Sequence, residues 1–381
     1  VVDGYAGVRR QFVDHEETRR VYLGTDGSPT MCKKGYAEER GEYDDHRLVL
    51  VSYFDVNGDP ATSSEIGAHG MKWEYDSDGM TVSRATVGAD GELVMGPSGV
   101  AEEKYEYVDG LPVKVRYLDC QGHLCEDFAG IAGWDSEFEN GNVVRRTNIG
   151  KEGKPVLNGE GFAEARQTFE NGLLRTYRIM GLDGKAVANK DGIAGCNCLY
   201  DDAGRRVRVE YVDAFESLVL SQSDGTAGYR LFYDVNGNAV KQEYLGTDGK
   251  PCLNNFGIAG CAAEYNDMGL MTSRVTFGLD GKPTPTLETG VATEKYEYDA
   301  FGNRIRESYF DPDGTPCLNK QQGAASRTFS YDALGRVTEQ MLYGANGKPV
   351  VFPGLNASGE RTAYDVFGHV CMVTFIGTNG A

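Results

Sequence analysis

Three residue types in this 381-residue chain have the right chemistry for a reactive site: nine Cys, five His, and many Asp and Asn set just before glycines. Cysteines at suitable spacing hold zinc or form a disulfide frame. The close pairs here are Cys120/Cys125 and Cys196/Cys198, and neither has zinc-site spacing. His15, His46, His69, His123 and His369 all fall in or beside predicted turns, with no pattern of nucleophile, base and orienting acid around them. No nucleophile elbow, phosphate loop or metalloprotease motif occurs. Asp311-Pro-Asp313-Gly314 and Asp55-Val-Asn57-Gly58-Asp59 begin as a calcium loop does. An EF-hand would need Glu at its twelfth position, and counted from Asp311 that position is Gln322. The reading is therefore no catalytic residue, no metal site, no cofactor and no enzyme.

The aromatics offer binding chemistry instead. There are 22 Tyr, 16 Phe and 2 Trp. A flat ring with polar neighbours on a strand suits the face of a sugar. Tyrosines that recur at fixed spacing are expected to pack the core. The irregular aromatics, Trp73, Trp134, Tyr244, Tyr309 and Tyr343, are the candidate ligand-binding residues, expected along one exposed edge.

The elements that would carry them form a repeat. An aromatic followed shortly by Asp-Gly or Asn-Gly appears at Tyr22–Gly27, Tyr53–Gly58, Tyr244–Gly249, Phe277–Gly281, Tyr309–Gly314 and Tyr343–Gly347. Tyr117–Gly122 is a further copy with Gln before its glycine, weaker copies end at Gly91, Gly153 and Gly184, one copy ends at Glu216 with no glycine, and a last one ends at Gly380. A second marker is Tyr-Asp-x-x-Gly, as at Tyr200-Asp201, Tyr233-Asp234, Tyr298-Asp299, Tyr331-Asp332 and Tyr364-Asp365. A third is Gly-x-Ala, as at Gly35-Tyr-Ala37 and Gly257-Ile-Ala259. Residues 1–381 thus read as one tandem array of about twelve units, ending near 27, 58, 91, 122, 153, 184, 216, 249, 281, 314, 347 and 380.

Alternation in Lys104-Tyr105-Glu106-Tyr107 and Lys295-Tyr296-Glu297-Tyr298 marks half-buried strands. Asp-Gly and Asn-Gly supply the positive φ of tight turns. Each unit is a β-hairpin plus a shorter extended piece, and a lone hairpin cannot bury a face. The expected fold is all-β, an elongated solenoid or superhelix of β-hairpin repeats.

Three residues beyond each turn glycine stand Thr30, Ala61, Val94, Cys125, Val156, Val187, Val219, Cys252, Thr284, Cys317 and Val350. Cys is one small apolar member of that set, which favours buried thiols over ligands. Cys196, Cys261 and Trp134 share a second column, twelve after a turn glycine. Asn158, Asn189, Asn254 and Asn319, with Asp127, share a third and are expected to satisfy turn backbone.

A net charge of −19 argues against nucleic acid and against docking on an anionic membrane. No apolar run is long enough to span a bilayer as a helix. The chain opens at Val1 and closes at Ala381 inside the repeat pattern, and so reads as a piece of a longer protein.

Tyr298-Asp-Ala-Phe-Gly-Asn-Arg-Ile-Arg-Glu307 and Tyr331-Asp-Ala-Leu-Gly-Arg-Val-Thr-Glu339 resemble the tyrosine-aspartate (YD, or Rhs) repeats of bacterial surface and toxin proteins. The aromatic-plus-Asp-Gly hairpin is similar to the wall-binding repeats of Gram-positive surface proteins and clostridial toxins. Both resemblances imply a bacterial protein at or beyond the cell surface, and neither brings catalytic residues. The expected function is a non-catalytic binding or display module recognising cell-wall or other polysaccharide. The alternative is a scaffold or shell holding another domain or a protein partner. Neither nucleic acid nor membrane insertion is expected.

Overall fold

The structure, a computed structural model, describes residues 4–351, 357–364 and 370–379. His369, Gly380 and the Asp-x-x-Gly turn that begins at Asp365 lie outside them. The chain forms two units, Val1–Lys190 with Val366–Cys371, and Asp191–Asp365 with Met372–Ala381. The described residues are strands and turns with no helix among them, so the all-β class read from the sequence holds.

Within the first unit each strand from Gly7–Val13 to Leu173–Met180 pairs antiparallel with the next. The second unit does the same from Gly195–Tyr200 to Gly359–Tyr364. Strands of one hairpin pair along their length, as Gly260–Tyr265 does with Met271–Phe277. Successive hairpins share a shorter ladder of three residue pairs, such as Ser273 to Lys295 through Val275 to Thr293. Among the described residues the paired ladder between successive hairpins goes no further toward the tips.

The tyrosine of Tyr-Asp, or its counterpart at Tyr107 and Tyr265, closes this gap. The hydroxyls of Tyr75, Tyr107, Tyr233, Tyr265, Tyr298, Tyr331 and Tyr364 donate to the carbonyls of Leu48, Thr81, Arg206, Ala239, Met271, Arg304 and Val337, at 2.7–3.1 Å. Each acceptor sits on the preceding hairpin, beside the bulge that offsets its strands, as between Glu264 and Tyr265. These rings are half-buried rather than fully packed in the core. Their work is a hydrogen bond from repeat to repeat, which Phe could not make.

All three sequence markers fold as the same turn. Gly79 N–H donates to Asp76 O, and Asp76 N–H to Met80 O. Gly58 with Asp55 and Asp59, and Gly257 with Asn254 and Ile258, repeat that pattern. It is a type I turn closed by a left-handed fourth residue. The side chain at its first position caps it: Asp55 Oδ1 accepts from Asn57 and Asp59 N–H, and Asn254 Oδ1 from Phe256 and Ile258 N–H. The Asn column is structural, as expected.

Two variations account for every described unit length. Hairpin tips at Asp14-His15, Asp45-His46, Asp109-Gly110, Asn140-Gly141 and Asn171-Gly172 have positive φ at both residues, a two-residue turn one shorter than Asp-x-x-Gly. The third turn is one residue longer where Ser63, Ser221, Thr286 or Asn319 starts it, because Gly67, Gly225, Gly290 and Gly323 then bond four residues back. Units with neither extra residue are 31 long, units with one are 32, and units with both are 33.

The core lies at the hairpin bases. Ala37, Ala132, Ala163, Ala194 and Ala259 are no more than 2% exposed. Ala37 receives a bond from Tyr22 N–H through its carbonyl and donates to Phe54 O, so it sits pinched between two strands where only a small side chain fits.

Glu216 tests the turn chemistry. It holds φ +65° at the position where other copies place glycine. A left-handed residue with a Cβ costs ~1 kcal/mol or more. Glu216→Gly should therefore raise unfolding stability by about 1 kcal/mol, while Glu216→Ala, which keeps the Cβ, should gain little. Equal urea midpoints for the two variants would show that the backbone is not strained there.

The turn carboxylates also set an acid limit. Hydrogen bonds from the Arg336 side chain, then from the Arg336 and Leu334 N–H groups, hold Asp332 below the ordinary carboxylate range. Arg205 does the same for Asp201. A depressed folded value contributes stability above the unfolded value, near 4, and that contribution is lost as pH falls through the folded one. Urea midpoints should therefore drop below about pH 4. Asp332→Asn, which keeps an acceptor oxygen but cannot titrate, should flatten that limb; an unchanged slope would remove Asp332 from the account.

Candidate functional site

The site residues belong to columns on the second strand of each hairpin. Five residues before the turn glycine (or Glu216) stand Tyr22, Tyr53, Tyr117, Tyr211, Tyr244 and Tyr309, interrupted by Thr86, Asn148, Ile179, Thr276 and Leu342. Two residues earlier, on the same face, the register sets pairs across to the next hairpin. Arg20 lies opposite Glu39, Arg84 opposite Glu103, Arg274 opposite Glu294, and in reversed order Glu307 opposite Arg327. The charged groups meet at 3.3, 2.6, 4.0 and 2.6 Å respectively. Elsewhere the same position holds Val51 with Met71, Val115 with Trp134, and Gln242 with Cys261.

Tyrosine fills the space beside these pairs. Tyr22 is 7% exposed, and its hydroxyl bonds Glu39, as does that of Tyr36 at 3.0 Å. Burial first, then the nearby carboxylate, pushes the Tyr22 phenol far above its usual value. Tyr309 sits 2.7 Å from Gln322 Oε1 and 3.1 Å from Glu307 Oε2. Burial pushes Tyr53 and Tyr211 up to about 12.

At four of these replacements, Thr86, Thr276, Asn148 and Leu342, a pocket opens. Thr86 lines a pocket of about 290 Å³ with Arg84 and Glu103. Thr276 lines one of about 220 Å³ with Arg274, Glu294, Tyr244 and Phe256. Asn148 lines one of about 300 Å³ beside Arg146, and Leu342 one of about 210 Å³ beside Arg327. The two threonines are held alike. Thr86 Oγ1 donates to Val94 O and Thr276 Oγ1 to Thr284 O, both at 2.6 Å, so neither hydroxyl proton is free for a ligand.

The five aromatics singled out by sequence do not form one exposed edge. Tyr309 is 3% exposed, which corrects its reading as a displayed ring. Trp73, Trp134, Tyr244 and Tyr343 are half-buried. Trp73 pairs across its hairpin with Arg84, beside the first pocket, and Tyr244 lines the second. Trp134 carries the Arg146 guanidinium 4.2 Å above its ring. Tyr343 is out of place. It bridges to Pro349 as Leu23 does to Pro29, so it belongs one residue beyond the tyrosine column. A one-residue step along a strand reverses the face. Phe277, bridged to Pro283, makes the same step.

The other candidates resolve into turns and packing. The eight described Cys are free thiols, and burial pushes Cys125, Cys252 and Cys317 upward. Asp311 Oδ1 accepts from Asp313 and Thr315 N–H, which is a turn-former's role. Among the described residues no three His, Cys, Asp or Glu converge as metal ligands.

No protein-family profile and no curated protein matches this chain. Among solved structures it is similar to a crystal structure of TcdB2-TccC3-TEV, at 14% identity and a TM-score of 0.39, over 91% of this chain and 18% of that one. It is also similar to TcdB2-TccC3 lacking its hypervariable C-terminal region, at 12% identity and a TM-score of 0.28, over 94% of this chain and 22% of that one. A Tc holotoxin pore from Photorhabdus luminescens aligns at 13% identity and a TM-score of 0.20, over 96% of this chain and 23% of that one. The chain spans about a fifth of the length of these chains.

Proposed function

We propose that this chain is a non-catalytic scaffold of tyrosine-aspartate type from a bacterial surface or secreted protein, and that it holds a protein partner. The carrying observation is how the recurring side chains are used. The Tyr-Asp hydroxyls, the turn Asp and Asn, and the pinched alanines are spent on bonds within and between repeats. What is left over for recognition includes the pockets at the exceptions in the tyrosine column and one of about 770 Å³ at the hairpin tips around Phe301, Tyr331 and Leu334.

Polysaccharide recognition is the second reading, and the pocket at Thr276 favours it. Tyr244 and Phe256 offer ring faces there, and Arg274, Glu288 and Glu294 offer charged hydrogen-bonding groups. A glycan array and a cell-wall pull-down with the full chain separate the two. The scaffold reading expects no retained glycan. Retention that Tyr244→Ala abolishes would replace it with the polysaccharide reading.

A further inference from the structure

We infer that the pockets at Thr86 and Thr276 are receptor sites for a tyrosine side chain of the partner, each completing a column that the chain itself leaves open. This rests on the scaffold reading of a protein partner. The junction of the first and second repeats supplies the template. Arg20, Glu39 and Tyr22 occupy the positions that Arg84, Glu103 and Thr86 occupy across the third and fourth repeats, and that Arg274, Glu294 and Thr276 occupy across the ninth and tenth. In the template the phenol is present: Tyr22 packs its ring against Tyr5 and Tyr36, with centroids 4.7 and 5.7 Å away, and its hydroxyl bonds Glu39, which Arg20 also pairs.

In the two open copies the ion pair is kept and the ring is missing. Val100 and Val291 also stand where Tyr36 stands in the template, so each pocket has lost two rings. The carboxylates are partly engaged from the other side, Glu103 by Tyr105 and Glu294 by Tyr296. A carboxylate has about four acceptor positions, so one more phenol donor can be accommodated. A phenol suits this setting better than a pyranose. It brings one donor for Glu103 or Glu294, while the second carboxylate of each pocket is held from outside, Glu65 by Lys34 and Glu288 by Gln321, and it brings an apolar face for Val100 and Ala101, or for Val291 and Ala292. A sugar would bring several hydroxyls, and the threonine protons are already committed to backbone.

The test is titration of the full chain with p-cresol and with N-acetyl-tyrosinamide, followed by ligand-observed NMR. Saturable millimolar binding at two sites is expected. Thr86→Tyr and Thr276→Tyr should each remove one site, because each installs the ring that the column carries elsewhere, and the double variant should bind neither probe. Glu294→Gln should weaken the second site about tenfold, because it removes the charge from the acceptor. Urea midpoints of the Tyr variants, expected at or above wild type, confirm that they fold. No saturable binding, or binding that survives in the double variant, overturns the inference. So does methyl glucoside competing at both sites where phenol does not, which would transfer the pockets to the polysaccharide reading. A failed phenol titration beside an empty glycan array would sink this inference and leave the scaffold reading standing.

Discussion

Gly228→Ala should destabilise the second unit by roughly 3 kcal/mol, since it combines backbone strain with overpacking. A Cβ at Gly228 would lie 2.0 Å from Val209 O and 3.0 Å from Glu210 Cα, at a φ of +136° that L residues rarely adopt. The backbone has little room to retreat. Gly228 pairs with Glu210 in the ladder, and its carbonyl accepts from Leu245 N–H at 2.9 Å. Gly260 is the instructive comparison. Its Cβ would meet Gln242 O at 2.1 Å, but its φ lies outside the left-handed region. The same column holds Glu38, Glu102 and Glu164, so a repeat with ordinary backbone accommodates a side chain there. Gly260→Ala should relax toward that arrangement and cost about 1 kcal/mol. Urea unfolding of both variants decides it. Equal losses would mean that the close contact alone, and not the φ, sets the cost.

The same comparison of copies shows how far sequence can reach. Turn chemistry was legible because Asp, Asn and Gly carry their conformational preference with them. The third turn was less so: Gly-x-Ala hides its first position, which is Asn in short copies such as Asn254 and Ser, Thr or Asn in the longer ones. That one-residue lengthening also concealed the ion-pair column. Glu39, Glu103 and Trp134 lie twelve beyond their turn glycines, whereas Glu294 and Arg327 lie thirteen beyond, so counting alone separates residues that the ladder aligns. The misplacement of Phe277 and Tyr343 has the same origin, since an aromatic before a turn looks alike at either of two adjacent positions while the strand sends them to opposite faces. Register between hairpins is fixed by three residue pairs and a tyrosine hydroxyl. The three pairs leave no mark in a single strand's pattern, and the Tyr-Asp marker does not say which carbonyl its hydroxyl reaches. The pockets could not be foreseen, because they are defined by side chains that their column lacks.

Glu307→Val should cost about 3 kcal/mol, and adding Arg327→Met should recover most of it. Glu307 is 5% exposed and pairs Arg327 at 2.6 Å, with Arg304 as a second cation and Tyr309 beside it. Removing the carboxylate leaves the Arg327 guanidinium partly buried with its counter-charge gone, and that unpaired charge is the larger part of the loss. The second change removes the orphan and installs the Val–Met pair that the chain already uses at Val51 and Met71. Tyr309 keeps a partner in Gln322 throughout, so its ring should stay in place. Exchanging the charges, Glu307→Arg with Arg327→Glu and Arg304→Glu, should also be tolerated, because it restores the order of Glu17 and Arg20 with Glu39. A double-mutant cycle measured by urea unfolding reads the coupling directly. If the double variant loses the sum of what Glu307→Val and Arg327→Met lose singly, the pair is not coupled, and the column carries charge only because the face is wet. A coupling of about 2 kcal/mol, with the exchanged charges near wild type, would establish that complementarity across this ladder, and not the identity of either residue, joins one repeat to the next.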